Sequence, residues 1–281
     1  IQVTREHLQN GTAKAVIVNS VNANTCNADG IEKAEKMCSL VAEELGIDEN
    51  DVIVASTGVI GQILPIEPIE NGMKSLCEGL TYDGNSRAVE AIMTTDTMPK
   101  EVAVQFEIDG NVCTLGGMLK GSGMIHPNMA TTLTFMTSDV NISSELLQRA
   151  LSDVVKITLN RVSVDGDTST NDMACIMASG ACGNKIIDGE DERFEIFRNA
   201  LYAVMMNLAR LMARDGEGAT KLIECACVGA SSEKTAELKS GRTDIFRATA
   251  SPFSSISDVL ILAFKKSFSS VYSTEYFIPV L

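Results

Sequence analysis

Histidine is nearly missing from this 281-residue chain: there are two, His7 in TREHLQN and His126 in MIHPN. A Ser-His-Asp or Cys-His device takes its base from an imidazole, so nucleophilic chemistry here has to find its base elsewhere. His7 reads as a surface residue of a first helix or loop, and His126 as a structural loop residue. Basic residues are also short, 23 Lys and Arg against 37 Asp and Glu, for a formal net charge of -14. That balance argues against nucleic acid and against a membrane surface as partners. No apolar run reaches the roughly 18 residues that suggest a bilayer span, and no basic-then-apolar leader opens the chain. A cytoplasmic protein is therefore expected. The eight cysteines include no C-x-x-C pair, which argues against a zinc or redox site and for reduced thiols in the core.

What is present is a chain that is 45% hydrophobic, enough to bury one large core or two closely packed ones. Residues 13–18 (AKAVIV) read as a buried strand running into an asparagine-rich loop. A helix follows, with Asp29 and Glu32 at capping-box spacing, Ile31, Ala34, Cys38, Val41 and Leu45 on one face, and Gly46 as its stop. Residues 52–55 form a second strand, 67–80 and 86–93 read as helices, and 102–108 with 112–115 flank Asp109-Gly110 as a hairpin. A helix opens at Ser143-Ser144-Glu145, and the longest runs over 192–212 with an apolar stripe of period 3.6. Residues 221–228 are expected to form a strand and 259–264 a buried segment. Interleaved strands and helices predict an α/β fold of layered mixed sheets flanked by helices.

The stretch MIHPNMATTLTF concentrates the chemistry. A small-residue loop (KGSGM) leads to Ala130, and a strand-like run begins at Thr131. A threonine hydroxyl at such a junction can attack its own preceding carbonyl, and cleavage would leave Thr131 as a new amino terminus. Its α-amine, with an ordinary pKa of about 8, is then a base adjacent to its own hydroxyl. An ordinary strand start has the same appearance. The acids of VDGDTSTND (Asp165, Asp167, Asp172) resemble part of a calcium loop without its distal glutamate, and read instead as a hydrogen-bonded turn.

Six segments in order, VNSVNANTCNADG, VIVASTGVIGQILP, AIMTTDTMPK, GGMLKGSGMIHPNMATTLTFMTSD, VSVDGDTSTND and ARDGEGATKLIE, resemble one family: the ornithine acetyltransferases, or glutamate N-acetyltransferases, of arginine biosynthesis. The similarity covers residues 3–238; the chain is expected to be truncated at its start and divergent over 239–281. The resemblance implies a fold like that of the N-terminal-nucleophile hydrolases with a different topology. It also implies self-cleavage between Ala130 and Thr131, giving an alpha chain (1–130) and a beta chain (131–281) that associate as a heterotetramer of two of each. Thr131 is then the nucleophile, and Thr57 and Gly58 in ASTG stabilise the oxyanion. Thr97 (or Thr95), Lys120 and Glu217 contact substrate. The implied reaction moves acetyl from N2-acetyl-L-ornithine to L-glutamate through an acetyl-threonine, with no cofactor; acetyl-CoA is a further donor in bifunctional members. A self-cleaving aminopeptidase or amidase, and an inactive truncated copy, are the alternatives.

Overall fold

A computed structural model describes residues 1–126 and 132–223 and the short strand Tyr276–Phe277. The expected cut between Ala130 and Thr131, the later part of the strand expected over 221–228 and the segment 259–264 lie outside the described residues. Except for Leu222 and Ile223, everything described belongs to one unit, Ile1–Lys221 with Ser270–Leu281.

Six helices and eight strands are described: α1 (Gln2–His7), β1 (Thr12–Ala13), β2 (Ala15–Asn19), α2 (Gly30–Leu45), β3 (Val52–Ser56), α3 (Glu67–Glu78), α4 (Asn85–Ile92), β4 (Glu101–Ile108), β5 (Asn111–Lys120), β6 (Leu133–Ser138), α5 (Ser144–Ile157), β7 (Met173–Ala178), α6 (Glu192–Arg214) and β8 (Tyr276–Phe277). One sheet has the order β1-β8-β7-β6-β5-β4, and β2 and β3 form a second. The large sheet is mixed, as expected, with β4, β5 and β6 antiparallel and β6 and β7 parallel, whereas β2 and β3 pair only in parallel.

Side-chain alternation along the strands builds the layers. On β6, Met136 faces a core shared with α5 and α6, whereas Leu133 and Phe135 face β2 and β3. On β7, Ala174, Ile176 and Ala178 join the first core and Met173, Cys175 and Met177 the second. On β3, Ile53 and Ala55 face the large sheet while Val52 and Val54 pack under α2 and α3. The result is four layers: helices, sheet, sheet, helices. Apolar residues on both faces of β3 and β7 explain why VIVAS and MACIMA are nearly continuous apolar runs.

Three expectations need correction. Asp29 occupies the N-cap position of α2 but makes no side-chain capping bond. Its φ of -99° and ψ of 14° lie outside the extended region that aims a capping side chain at the first-turn amides. The stripe of α2 also slips at its ends: Ile31 and Leu45 are exposed, and Met37, Cys38, Val41 and Ala42 are the buried set. Finally, β7 was not anticipated, because MACIMA carries no period-two pattern when both faces are buried. The hairpin is as expected, with positive φ at Asp109 (53°) and Gly110 (77°) matching the twist of the paired strands. Lys221 to Ile223 carry no strand.

Candidate active site

At one end of the large sheet, β5 finishes and β6 and β7 begin. Lys120, the last residue of β5, pairs with Leu133, and Leu133 pairs with Met173. Strand direction thus brings Lys120, Thr132 and Asp172 together from three sequence segments. The end of β3 joins them: the Asn171 side-chain amide donates to the Ser56 carbonyl at 3.1 Å, and Thr57-Gly58 follows directly.

Thr57 is 2% exposed. Its N–H donates to the Asn19 carbonyl at 2.8 Å, which makes its hydroxyl, not its amide, the group available to an oxyanion. Gly58 has φ of +125°, and a Cβ placed there would lie 2.1 Å from the Val21 carbonyl oxygen. Glycine is required here because one backbone crosses another at contact distance.

Lys120 is also 2% exposed. Burial pulls its pKa below the ordinary lysine value, Asp96 works against that shift, Lys100 reinforces it, and Asp172 and Glu217 oppose it. Those four groups are therefore its electrostatic surroundings. The loop after it is held from both sides: the Gly121 N–H donates to Asp96 at 2.7 Å, and the Glu217 N–H donates to the Ser122 carbonyl at 2.7 Å. The Glu217 carboxylate rests on Gly123, where a Cβ would be 2.4 Å from its carboxyl carbon.

Asp172 is 9% exposed and accepts the Thr132 N–H at 2.6 Å. Burial raises its pKa to about 7, with the Thr132 N–H and Lys120 pulling the other way. Among the described residues, its second oxygen, the Thr132 hydroxyl and the Ser56 hydroxyl are buried and have no hydrogen-bond partner. Asp165 accepts the N–H groups of Met124 and Ile125 at 2.5 and 2.9 Å. The VDGDTSTND turn thus holds the described residues on both sides of 127–131, through carboxylates occupied by backbone amides and not arranged as a cation cage.

A buried ion network that sequence reading missed lies under this loop. Lys100 is fully buried and donates to Asp96 and Asp215, each at 2.5 Å. Burial alone would raise both carboxyls; Lys100 leads the interactions that instead hold them below the usual range. Thr97 donates its N–H and its hydroxyl to Asp215, while the Thr95 hydroxyl pairs with Ser122 at 2.7 Å. Asp96 and Lys100 stand in MTTDTMPK and Asp215 in ARDGEG, two motifs already prominent in the sequence; their signal was acids and a lysine beside otherwise neutral loop residues.

The structure therefore brings Thr57, Gly58, Lys120 and Glu217 to the region where 127–131 begins and ends, and ties Thr97 into the network below it. Ala130 and Thr131 themselves lie outside the described residues. His126 pairs with Ser163 at 3.4 Å and His7 with the Val52 carbonyl at 3.0 Å. A polar cleft lined by residues including Glu6, His7, Lys33, Lys36 and Glu70 contains none of the predicted site residues.

Comparison with known proteins identifies a family. The family model described as the ArgJ family matches residues 1–243. The chain is similar to the arginine biosynthesis bifunctional protein ArgJ 1 of Clostridium acetobutylicum, 46% identical over 83% of this chain and 57% of the relative. It is likewise similar to ArgJ of Caldanaerobacter subterraneus, 47% identical over 83% of this chain and 58% of the relative. A solved structure of the argJ protein from Bacillus halodurans matches 46% of this chain and 69% of its own, at 44% identity and a TM-score of 0.43. The chain spans less than two thirds of the length of these curated relatives.

Proposed function

The chain belongs to the ArgJ family, and on that premise we propose that it is a self-cleaving acetyltransferase that moves acetyl from N2-acetyl-L-ornithine to L-glutamate. The observation that carries this reading is the convergence of Lys120, Thr132, Asp172 and the Thr57-Gly58 turn at one end of the sheet, bordering residue 131 through its covalent neighbour. In the first step the Thr131 hydroxyl oxygen bonds to the Ala130 carbonyl carbon and the Ala130–Thr131 C–N bond breaks. The nitrogen leaves as an amine, and water hydrolyses the ester. That amine then takes the hydroxyl proton when Thr131 attacks the acetyl carbonyl of the donor. Ornithine leaves, and the glutamate amine displaces Thr131 from its acetyl ester.

Thr57 and Gly58 suit the oxyanion, because they sit in a buried turn where a donor contributes about 3 kcal/mol to lowering the barrier. Lys120 provides a buried cation for a substrate carboxylate, and Glu217 a carboxylate for an ammonium. The two opposite charges favour a transferase handling amino acids over a simple hydrolase. The reaction as proposed needs no prosthetic group, since Thr131 supplies both nucleophile and base.

Amino-terminal sequencing of the purified chain tests the scheme: a fragment beginning TTLTF is expected. Thr131→Ala is expected to stay a single band on a denaturing gel and to transfer no acetyl. A T131A protein with transfer activity would refute the mechanism.

A further inference from the structure

Opposite the candidate site, at the other ends of the same strands, Cys113 on β5 meets Cys182 in the turn after β7. Their sulfurs are 2.7 Å apart, well inside the separation of two unbonded sulfur atoms, and both are free thiols. Backbone geometry holds the pair together. The Cys182 N–H donates to the Asp139 carbonyl at 2.7 Å and the Gly180 N–H to the Val140 carbonyl at 3.1 Å. Gly180 and Gly183, which flank Cys182, take positive φ of 71° and 78°. Asn184 closes the turn by accepting the Asn141 N–H at 2.9 Å. Cys113 is fully buried and Cys182 half-buried.

Asp139 is the third group of this cluster, its carboxylate within 4.8 Å of both sulfurs, but it already accepts the Thr114 N–H at 2.7 Å. Two sulfurs on one zinc, each about 2.3 Å from the metal, stand roughly 3.8 Å apart. The observed pair is closer than that and nearer to the S–S bond of about 2.05 Å.

We propose that Cys113 and Cys182 form a thiol–disulfide site that closes on exchange with a small disulfide of the glutathione type. The more accessible Cys182, as thiolate, attacks one sulfur of the oxidant and expels the first thiol. Cys113 then attacks the Cys182 sulfur of the mixed disulfide and expels the second. Two protein thiols are oxidised, one external disulfide is reduced to two thiols, and the two protein protons leave on those thiols. The bond ties the start of β5 to the end of β7 across β6. In an uncleaved chain it closes a loop between residues 69 positions apart; once the chain is cut after residue 130 it joins the two fragments covalently, and in either form it restricts the unfolded state, for an expected rise in Tm on the order of 5–10 °C.

The test compares the full chain treated with oxidised glutathione and with dithiothreitol. Peptide mapping of the oxidised sample should find the Cys113 and Cys182 peptides linked, lighter by two hydrogens, with the higher Tm and no added glutathione at either position. Cys182→Ser should show neither the link nor the Tm difference. Separate glutathione adducts on the two cysteines with an unchanged Tm would overturn the proposal. So would a pair that resists oxidation until a chelator strips zinc from it. Peptide mapping finds the link whether or not acetyl is transferred or the chain is cut before residue 131, so its outcome is separate from that of the proposed function.

Discussion

At Gly58, one hydrogen atom in place of a methyl group decides whether two backbones can cross. Gly58→Ala combines a positive φ with a Cβ 2.1 Å from a carbonyl oxygen, and backbone cannot yield as a side-chain tip can. A loss of at least about 2 kcal/mol in urea unfolding is expected, together with loss of any activity that needs the Thr57-Gly58 turn. Asp172 makes a second prediction. Its folded pKa, raised by burial to about 7, stands above the unfolded value of about 3.9. The folded state therefore binds the extra proton, and stability falls as pH rises from about 4 to about 7, then levels off. Asp172→Asn keeps an acceptor for the Thr132 N–H without the buried charge. Its Tm should equal or exceed that of the unsubstituted chain at pH 8, with the difference vanishing near pH 4; a constant difference across that window would refute the assignment.

Between elements, Lys100 links the segment before β4 to the end of α6 through Asp96 and Asp215. Lys100→Met would leave two buried carboxylates without their cation, a cost of about 3–5 kcal/mol. Both carboxyls are held below the usual range. The stability they contribute is thus present above the unfolded value of about 4 and is lost as pH falls through their folded values. The deficit of the variant, read from urea midpoints, should be largest at neutral pH and shrink on acidification. The Gly121 and Glu217 amides, which donate to Asp96 and to the Ser122 carbonyl, should gain amide exchange in the same variant.

Across the molecule, a cut after residue 130 would fall between strands that are neighbours in one sheet. β5 pairs with β6 over six positions, from Leu115↔Ser138 to Lys120↔Leu133, and Val204 and Leu208 of α6 pack on Gly117 of β5. Fragments 1–130 and 131–281 therefore share both a ladder and a core. After cleavage and under reducing conditions they should co-elute in native size-exclusion chromatography and separate only in denaturant. Separation without denaturant would show that the shared sheet does not hold them.

Local chemistry was largely readable from the residues in order. Period 3.6 located α6, Asp109-Gly110 turned the hairpin, and Ser143 capped α5 with its side chain on the Leu146 N–H. These features depend on neighbours a few positions away. β7 escaped because burial on both faces erases alternation, and the Asp29 cap failed because a backbone angle, not residue type, aims the carboxylate. Lys120 was singled out through family motifs, yet its burial and its four charged neighbours come from segments near residues 96, 172 and 217. The Cys113–Cys182 contact joins positions 69 apart, a spacing that matches no cysteine motif. Sequence by itself marked candidate chemical groups and determined helices and turns such as α6 and the Asp109-Gly110 hairpin, since those follow from short-range sterics and periodicity. Only the packing of two sheets between helix layers decided which of those groups are buried, paired or left with an unsatisfied oxygen, because desolvation and charge coupling act through space.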